Sequence, residues 1–218
     1  MIQRSDIGLV FAVYLGITLL VGMIAREYAR AWATNRQGDA TPRLWGRLTL
    51  DPRAWFEPFG SGILPGLILV LWASGAYFPV PFAYGKPAPI DPYALRGRRK
   101  VILASVAGPV ANVAIAVVAG VVLRLHPSSG VRVPLAALML GNLTLAVYHL
   151  MPIPGLDGAR IVGLYLPAKA AEVYRNLDQY LVLFVLVLTF MLAAPIVDIV
   201  FGLSNVLCKA ASGTGCFG

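Results

Sequence analysis

A long uncharged run that ends on three charged residues constrains this chain more than any other feature. Residues 7–25 are nineteen positions without a charge, and Arg26, Glu27 and Arg30 follow at once. Positions i, i+1 and i+4 lie close together on a helix surface, so these side chains share one face. A helix that continues to Arg36 would reach ~45 Å, longer than the ~30 Å hydrocarbon core. Because charges at bilayer depth are costly, we expect these to have partners and a function.

The composition indicates an integral membrane protein with several spans. The chain has 218 residues, of which 58% are apolar and 13% charged, and its mean hydropathy is +0.75. Soluble domains carry about 25% charged residues. The net charge of +8 follows from the excess of Lys and Arg on the cytoplasmic side of membrane proteins. No basic-aromatic pattern predicts a nucleic-acid site. We therefore expect the lipid bilayer as a partner, and no nucleic acid.

The other apolar runs predict an all-α fold with one irregular insertion. Residues 101–123, 133–156 and 179–197 predict membrane helices. Residues 58–85 are also uncharged, but Pro and Gly interrupt them, and irregular backbone at membrane depth needs protein or water around it. We expect a re-entrant segment there, with a helix going in and an extended return over residues 79–92. Residues 44–52 predict a short strand that ends in a turn, as part of a small β-hairpin or sheet at the membrane face.

The distribution of basic residues predicts the topology. Twelve Lys and Arg lie in residues 36–53, 86–100 and 160–175, which we place on the cytoplasmic side. Four would lie outside: Arg4, Arg124, Arg132 and Lys209. Both termini are then extracytoplasmic. Cys208 and Cys216 would share that side, where a disulfide is permitted, although two unpaired thiols are an equal alternative.

The charged face of the first helix has the spacing of a zinc motif. Residues 26–30 read R-E-Y-A-R, whereas the motif H-E-x-x-H places two zinc-binding His one turn apart and a Glu as base. Arg occupies both His positions, at Arg26 and Arg30. A guanidinium stays protonated and has no lone pair for a metal. The spacing of a metal site is therefore present without its nitrogen ligands.

Four landmarks in order give a resemblance to the site-2 protease family, the intramembrane zinc metalloproteases. Residues 26–30 stand in the H-E-x-x-H place, and residues 46–52 with 56–60 look like the family's membrane-face sheet. Residues 86–92 (KPAPIDP) and 107–112 (AGPVAN) look like its middle markers. Residues 152–158 (PIPGLDG) match its P-x-P-x-L-D-G segment. The resemblance implies one transmembrane domain over residues 1–218, with four to five spans. Its family-like core covers residues 7–160, and a C-terminal span and tail cover residues 176–218.

The resemblance also implies roles for individual residues. In the family two His and one Asp hold zinc, and the Glu activates its water. Arg26, Arg30 and Asp157 are then degenerate metal positions, and Glu27 is in the base position. His149 stands where the family has a substrate-positioning Asn, and we group Asn112 with it. Two Arg against Glu27 and Asp157 sum to zero, as zinc against two carboxylates does, so we expect the guanidiniums to bridge the carboxylates and lock the fold.

His149 has three interpretations that the sequence leaves open. It is a hydrogen-bonded polar residue of the bundle, or it points into the substrate cleft and changes binding. In the third interpretation it joins Glu27 and Asp157 in a shifted metal site. That site would use Glu27 as a ligand, so it would no longer serve as the base.

Three functions remain from the sequence. The first is a non-catalytic membrane protein, needing no cofactor, that binds or regulates the transmembrane segment of a partner in the bacterial cell membrane. The second is an active intramembrane zinc metalloprotease with atypical ligands, and the third is a small membrane transport protein. An inverted repeat with a second broken span would favour transport, and the sequence shows neither.

Overall fold

Three long helices pack against one another at the centre of the molecule. They are α1 (Leu9–Arg36), α5 (Arg98–Arg124) and α6 (Ser129–Leu150), and each contacts the other two. The structure is a computed structural model that describes residues 9–73, 83–91, 94–125 and 128–180, with isolated positions between 183 and 210. The three-helix core carries the charged face of α1 on its inside.

Shorter helices surround this core. Between α1 and α5 lie α2 (Thr41–Leu44), α3 (Pro52–Trp55), a π-helical turn (Pro58–Ile63) and α4 (Leu64–Ala73). After α6 come α7 (Asp157–Gly163), α8 (Ala168–Asn176) and a 3₁₀ turn (Leu177–Tyr180). All regular secondary structure in the described residues is therefore helical, which agrees with the predicted all-α class.

Two helices of the described chain are long and apolar enough to cross a membrane. They are α5, with 27 residues, and the part of α6 from Gly130 to Leu150, with 21. Both were predicted as spans, although α6 ends at Leu150 and not at residue 156. Most of the last predicted span, residues 179–197, lies outside the described residues. The predicted total of four to five spans stays a prediction.

The strand predicted over residues 44–52 is wrong, because local hydrogen bonds close turns there. Gly46 has φ +66°, and the Arg47 N–H donates to the Pro42 carbonyl at 2.7 Å. Asp51 then caps α3 by accepting from the Arg53 N–H at 2.9 Å. The described residues contain no strand at all, and this region is turns between α2 and α3. Caps and turns satisfy the backbone locally, and so they compete with strand pairing.

The irregular segment after α4, residues 83–91, runs back along α1. Residues 83–91 have no regular secondary structure, so the described part of the predicted return strand is not a strand. Backbone bonds still fix it in place, because the Tyr84 N–H donates to the Gly60 carbonyl at 3.2 Å and the Lys86 N–H to the Trp55 carbonyl at 2.9 Å. Residues 74–82 and 92–93 lie outside the described residues, so the re-entrant path between α4 and this segment stays a prediction.

Candidate functional site

The charged face of α1 is buried in the helix core. Arg26 is 3% exposed, Glu27 2% and Arg30 2%. Each of the three lies on the helix face expected from the i, i+1, i+4 spacing. Isolated charges cannot be buried at low cost, so this face requires compensating groups. Glu27 compensates one of the two arginines, and the second carboxylate, Asp157, comes from α7.

A bent connection places Asp157 opposite this face. Helix α6 ends at Leu150, and Gly155 turns the chain with φ +88° before α7 begins at Asp157. Gly158 allows α7 to start directly against the end of α6, because a Cβ there would collide with the Leu150 and Met151 carbonyl oxygens. Asp157 is fully buried.

Four ion pairs join these residues into a closed ring, which we call the Arg–carboxylate ring (Arg26, Glu27, Arg30 and Asp157). Arg26 Nη2 lies 2.8 Å from Asp157 Oδ2, and Arg30 Nη1 lies 2.8 Å from Asp157 Oδ1. Arg30 Nη2 lies 2.6 Å from Glu27 Oε2, and Arg26 Nη1 pairs with Glu27 Oε1. Every oxygen of the two carboxylates thus meets a guanidinium nitrogen. The bridging contacts predicted from the charge sum are present.

Glu27 also ties the ring to the irregular segment. The Ala88 N–H donates to Glu27 Oε2 at 3.0 Å. That oxygen therefore accepts from both Arg30 and the backbone of residues 83–91. Sequence reasoning missed Ala88, because a backbone donor in an irregular segment leaves no residue-type signal.

His149 lies beside the ring near the end of α6. It is 2% exposed, and its Nδ1 lies 2.8 Å from the Leu145 carbonyl oxygen. A carbonyl only accepts, so Nδ1 is the donor. The imidazole is close enough to interact electrostatically with Arg26 and Asp157. This hydrogen bond agrees with the first of the three interpretations of His149.

Asn112 lies on the α5 face that packs against α1, one turn after Gly108. It is fully buried, and neither its Oδ1 nor its Nδ2 has a hydrogen-bond partner among the described residues. Buried amides are nearly always hydrogen-bonded. The structure thus places Asn112 near Arg26 on the neighbouring helix without bonding it to the ring.

The residues present do not fit a zinc ion. Zinc in proteins binds Cys, His and carboxylate side chains. It usually has four ligands, and in catalytic sites one of the four is a water. The ring offers guanidiniums in both His positions, and each carboxylate oxygen is already paired. Within the described residues no three His, Cys, Asp or Glu side chains come together as a metal site. The side chains of the ring are therefore chemically unsuited to bind zinc.

Arg160 is a further charged neighbour that sequence reasoning left in a cytoplasmic loop. It lies three residues after Asp157 in α7, a spacing that brings side chains together on a helix. It interacts electrostatically with Arg30 and Asp157, and its Nη1 is buried without a hydrogen-bond partner. The i, i+3 spacing from Asp157 is the signal that could have found it.

The absence of a side chain at Gly108 lets α5 approach Arg26, so we expect even a methyl group there to be destabilising. A Cβ at position 108 would lie 2.7 Å from Arg26 Cγ. We expect Gly108→Ala to lower the free energy of unfolding by about 1–3 kcal/mol, as overpacking does. Denaturant unfolding in detergent micelles measures this. The control is Gly130→Ala, where nothing lies within 4 Å of the new Cβ. Equal stability of both variants would contradict the close contact.

Curated relatives identify the family. The chain is 33% identical over 189 residues to "Putative zinc metalloprotease YwhC" of Bacillus subtilis strain 168, covering 79% of this chain and 80% of that protein. The chain belongs to the site-2 protease family. Its membership confirms the resemblance found from the ordered motifs, and together with the two apolar helices it supports a membrane location.

Two further members of the family show similar identity but are longer. "Putative zinc metalloprotease Rip2" of Mycobacterium tuberculosis strain H37Rv is 32% identical over 172 residues, which are 78% of this chain and 63% of that protein. Rip2 of Mycolicibacterium smegmatis is 33% identical over 154 residues, 66% of this chain and 56% of the relative. The chain thus spans less than two thirds of Rip2. No family model and no solved structure matches the chain.

Proposed function

We propose that this protein is a non-catalytic member of the site-2 protease family that binds or regulates a membrane partner. One observation carries the proposal: the guanidiniums of Arg26 and Arg30 each pair with both carboxylates of the site. Charge-assisted guanidinium–carboxylate bonds are among the stronger hydrogen bonds in proteins. The ring therefore holds α1 and α7 together. It occupies the position of the zinc motif in a chain whose relatives are named putative zinc metalloproteases.

The ring also leaves no group for metal-assisted hydrolysis. A metallopeptidase needs a metal-bound water and a free base beside it. Glu27, in the base position, accepts from Arg26, Arg30 and the Ala88 N–H. Its oxygens are thus occupied by donors of the protein itself. A divalent cation would in addition meet two fixed positive charges.

The partner that suits the remaining scaffold is a transmembrane segment of another membrane protein. Residues 83–91 run beside α1 without regular secondary structure. The N–H groups of Tyr84, Lys86 and Ala88 donate within the protein, so an unwound segment lying along them would pair with carbonyl oxygens. Asn112 is fully buried and its amide has no hydrogen-bond partner in the described residues, so a bound segment could use it only where the helices separate around it. The protein would lie in the bacterial cell membrane with four to five spans, a re-entrant segment and extracytoplasmic termini.

Purified protein is expected to contain far less than one zinc per chain and to leave transmembrane peptides intact. The test equilibrates the full chain in micelles with buffered zinc, measures metal by mass spectrometry, and follows a peptide panel for cleavage. One tightly held zinc per chain that Asp157→Ala removes, together with cut peptide, would establish an active metalloprotease and overturn the proposal.

Binding of the same peptides is the second half of this experiment. The variant Asn112→Leu keeps the volume and removes the amide, so it should weaken capture of a bound peptide while leaving stability unchanged or higher. The control Val113→Leu changes a neighbouring side chain that is 40% exposed. If Asn112→Leu binds the peptides as tightly as the native protein does, Asn112 is not part of the binding site.

A further inference from the structure

A second site shares α7 with the Arg–carboxylate ring but is lined by none of the four ring residues. A cavity of about 590 Å³ opens between the N-terminal half of α5, α7 and α8. This volume is within the range of small-molecule sites, about 300–1,000 Å³. Three arginines and one carboxylate line it: Arg98, Arg160, Arg175 and Asp178. The charged residues of the lining therefore sum to +2.

Arg160 is the charge that the ring leaves uncompensated. The ring balances two Arg with Glu27 and Asp157, and Arg160 interacts with both Arg30 and Asp157 as a third cation. The buried group thus has three cations against two carboxylates. Arg160 Nη1 is buried and has no partner in the described residues. Arg160 as a whole is half-buried, so its Nη1 can be satisfied by water or by an anion in the cavity, and only an anion also offsets the excess positive charge.

Ser105 supplies a second unused polar group in the same cavity. It lies on α5, is 1% exposed, and its Oγ has no hydrogen-bond partner among the described residues. The one carboxylate of the lining, Asp178, already accepts from the Gly155 N–H at 2.7 Å. A hydroxyl and a guanidinium that both lack acceptors predict an oxyanion as the ligand.

The position of the cavity points to a lipid as the source of that oxyanion. The cavity lies where α5, a candidate membrane helix, begins after the basic residues 96–100. Basic ends of spans lie at the headgroup level. Basic pockets beside membrane helices bind anionic headgroups. Val101 and Ala104 add an apolar wall from α5 beside Ser105, which suits the glycerol and upper acyl region.

We propose that this cavity binds the phosphate group of an anionic phospholipid, with Arg160 and Ser105 as its inner donors and Arg98 and Arg175 at its mouth. The guanidinium of Arg98 lies over the Tyr165 ring at 5.3 Å, which holds it beside the opening. The bound phosphate would supply the negative charge that the buried cluster lacks. The site is separate from the binding of a transmembrane partner and does not depend on it.

The test compares two lipids that differ only in charge. The purified full chain is titrated in micelles with phosphatidylglycerol or phosphatidylcholine of identical acyl chains, and bound lipid is counted by native mass spectrometry alongside thermal unfolding. We expect one phosphatidylglycerol per chain and a rise in Tm that phosphatidylcholine does not give. Arg160→Gln should weaken the apparent affinity about tenfold to a hundredfold, as loss of a charged hydrogen bond does.

Two more variants separate the site from general surface charge and from misfolding. Ala171→Phe fills the cavity from α8 and keeps every charge, so it should also weaken phosphatidylglycerol binding at least tenfold. Lys169→Gln removes an exposed cation of α8 that does not line the cavity, and binding should stay unchanged. Equal binding of both lipids, equal losses in Lys169→Gln and Arg160→Gln, or the same Tm rise with inorganic phosphate alone would each overturn the lipid site. If Arg160→Gln fails to fold, Ala171→Phe decides.

Discussion

Replacing Asp157 with Asn is expected to lower the free energy of unfolding by about 3–5 kcal/mol, the typical cost of breaking a buried ion pair from one side. The neutral side chain would leave Arg26 and Arg30 buried with a single carboxylate between them. In the native protein Asp157 contacts Arg26 and Arg30, each at 2.8 Å, and these two contacts join α7 to α1 across the core. Equilibrium unfolding of the purified protein in mixed micelles measures the loss, and low accumulation in the membrane should accompany it.

Two matched variants show whether this loss comes from the unpaired charge. Glu172→Gln removes an exposed carboxylate of α8 and should change stability by no more than about 0.5 kcal/mol. A fourfold variant (Arg26→Met, Glu27→Gln, Arg30→Met, Asp157→Asn) removes all charges of the ring together. It should be more stable than Asp157→Asn alone, because apolar groups often replace a buried ion cluster without loss. An Asp157→Asn protein as stable as Glu172→Gln would show that the ring does not hold the helices.

The ring could be predicted from the sequence because each half of it is local. Helix geometry fixes Arg26, Glu27 and Arg30 on one face once α1 is recognised as a helix. The P-x-P-x-L-D-G segment bends the chain so that Asp157 begins a new helix. Matching two positive and two negative charges in one membrane protein then leaves few ways to pair them. Family membership, found from the same motifs, is confirmed by the relatives.

The features that sequence reasoning missed depend on contacts between distant parts of the chain. The Ala88 N–H reaches Glu27 from 61 positions away, and a backbone donor has no signature of its own. Arg160 was assigned to a loop by charge counting, which records the side of a membrane but not burial. The strand over residues 44–52 was wrong for a local reason. The turn at its end was expected, but a pattern of apolar residues does not reveal that Gly46 closes another turn within it.

The double variant Arg26→His, Arg30→His is expected to bind one zinc per chain, whereas we expect the native protein to bind none. The two positions lie one turn apart on α1, and Asp157 already faces both. Imidazoles offer the lone pairs that guanidiniums lack, and a zinc ion restores the charge of +2 that the change removes. Structural zinc sites in peptides supply on the order of 10–16 kcal/mol, so the change in affinity should be large. Competition with a chelator measures it.

The triple variant that adds Asp157→Ala to these two changes should lose the zinc, which separates a rebuilt three-ligand site from two His binding the metal on their own. Absence of zinc from the double variant would show that the chain no longer keeps the spacing of a metal site. Cleavage of a peptide is a separate matter, because His149 lies beside the ring and the resemblance implies that it stands in the place of a substrate-positioning Asn. We therefore expect zinc to return with the double variant, and hydrolysis to return only when His149→Asn is added. If zinc and hydrolysis return in that order, it follows that Arg26 and Arg30 alone prevent metal binding and that His149 separately affects how a substrate lies.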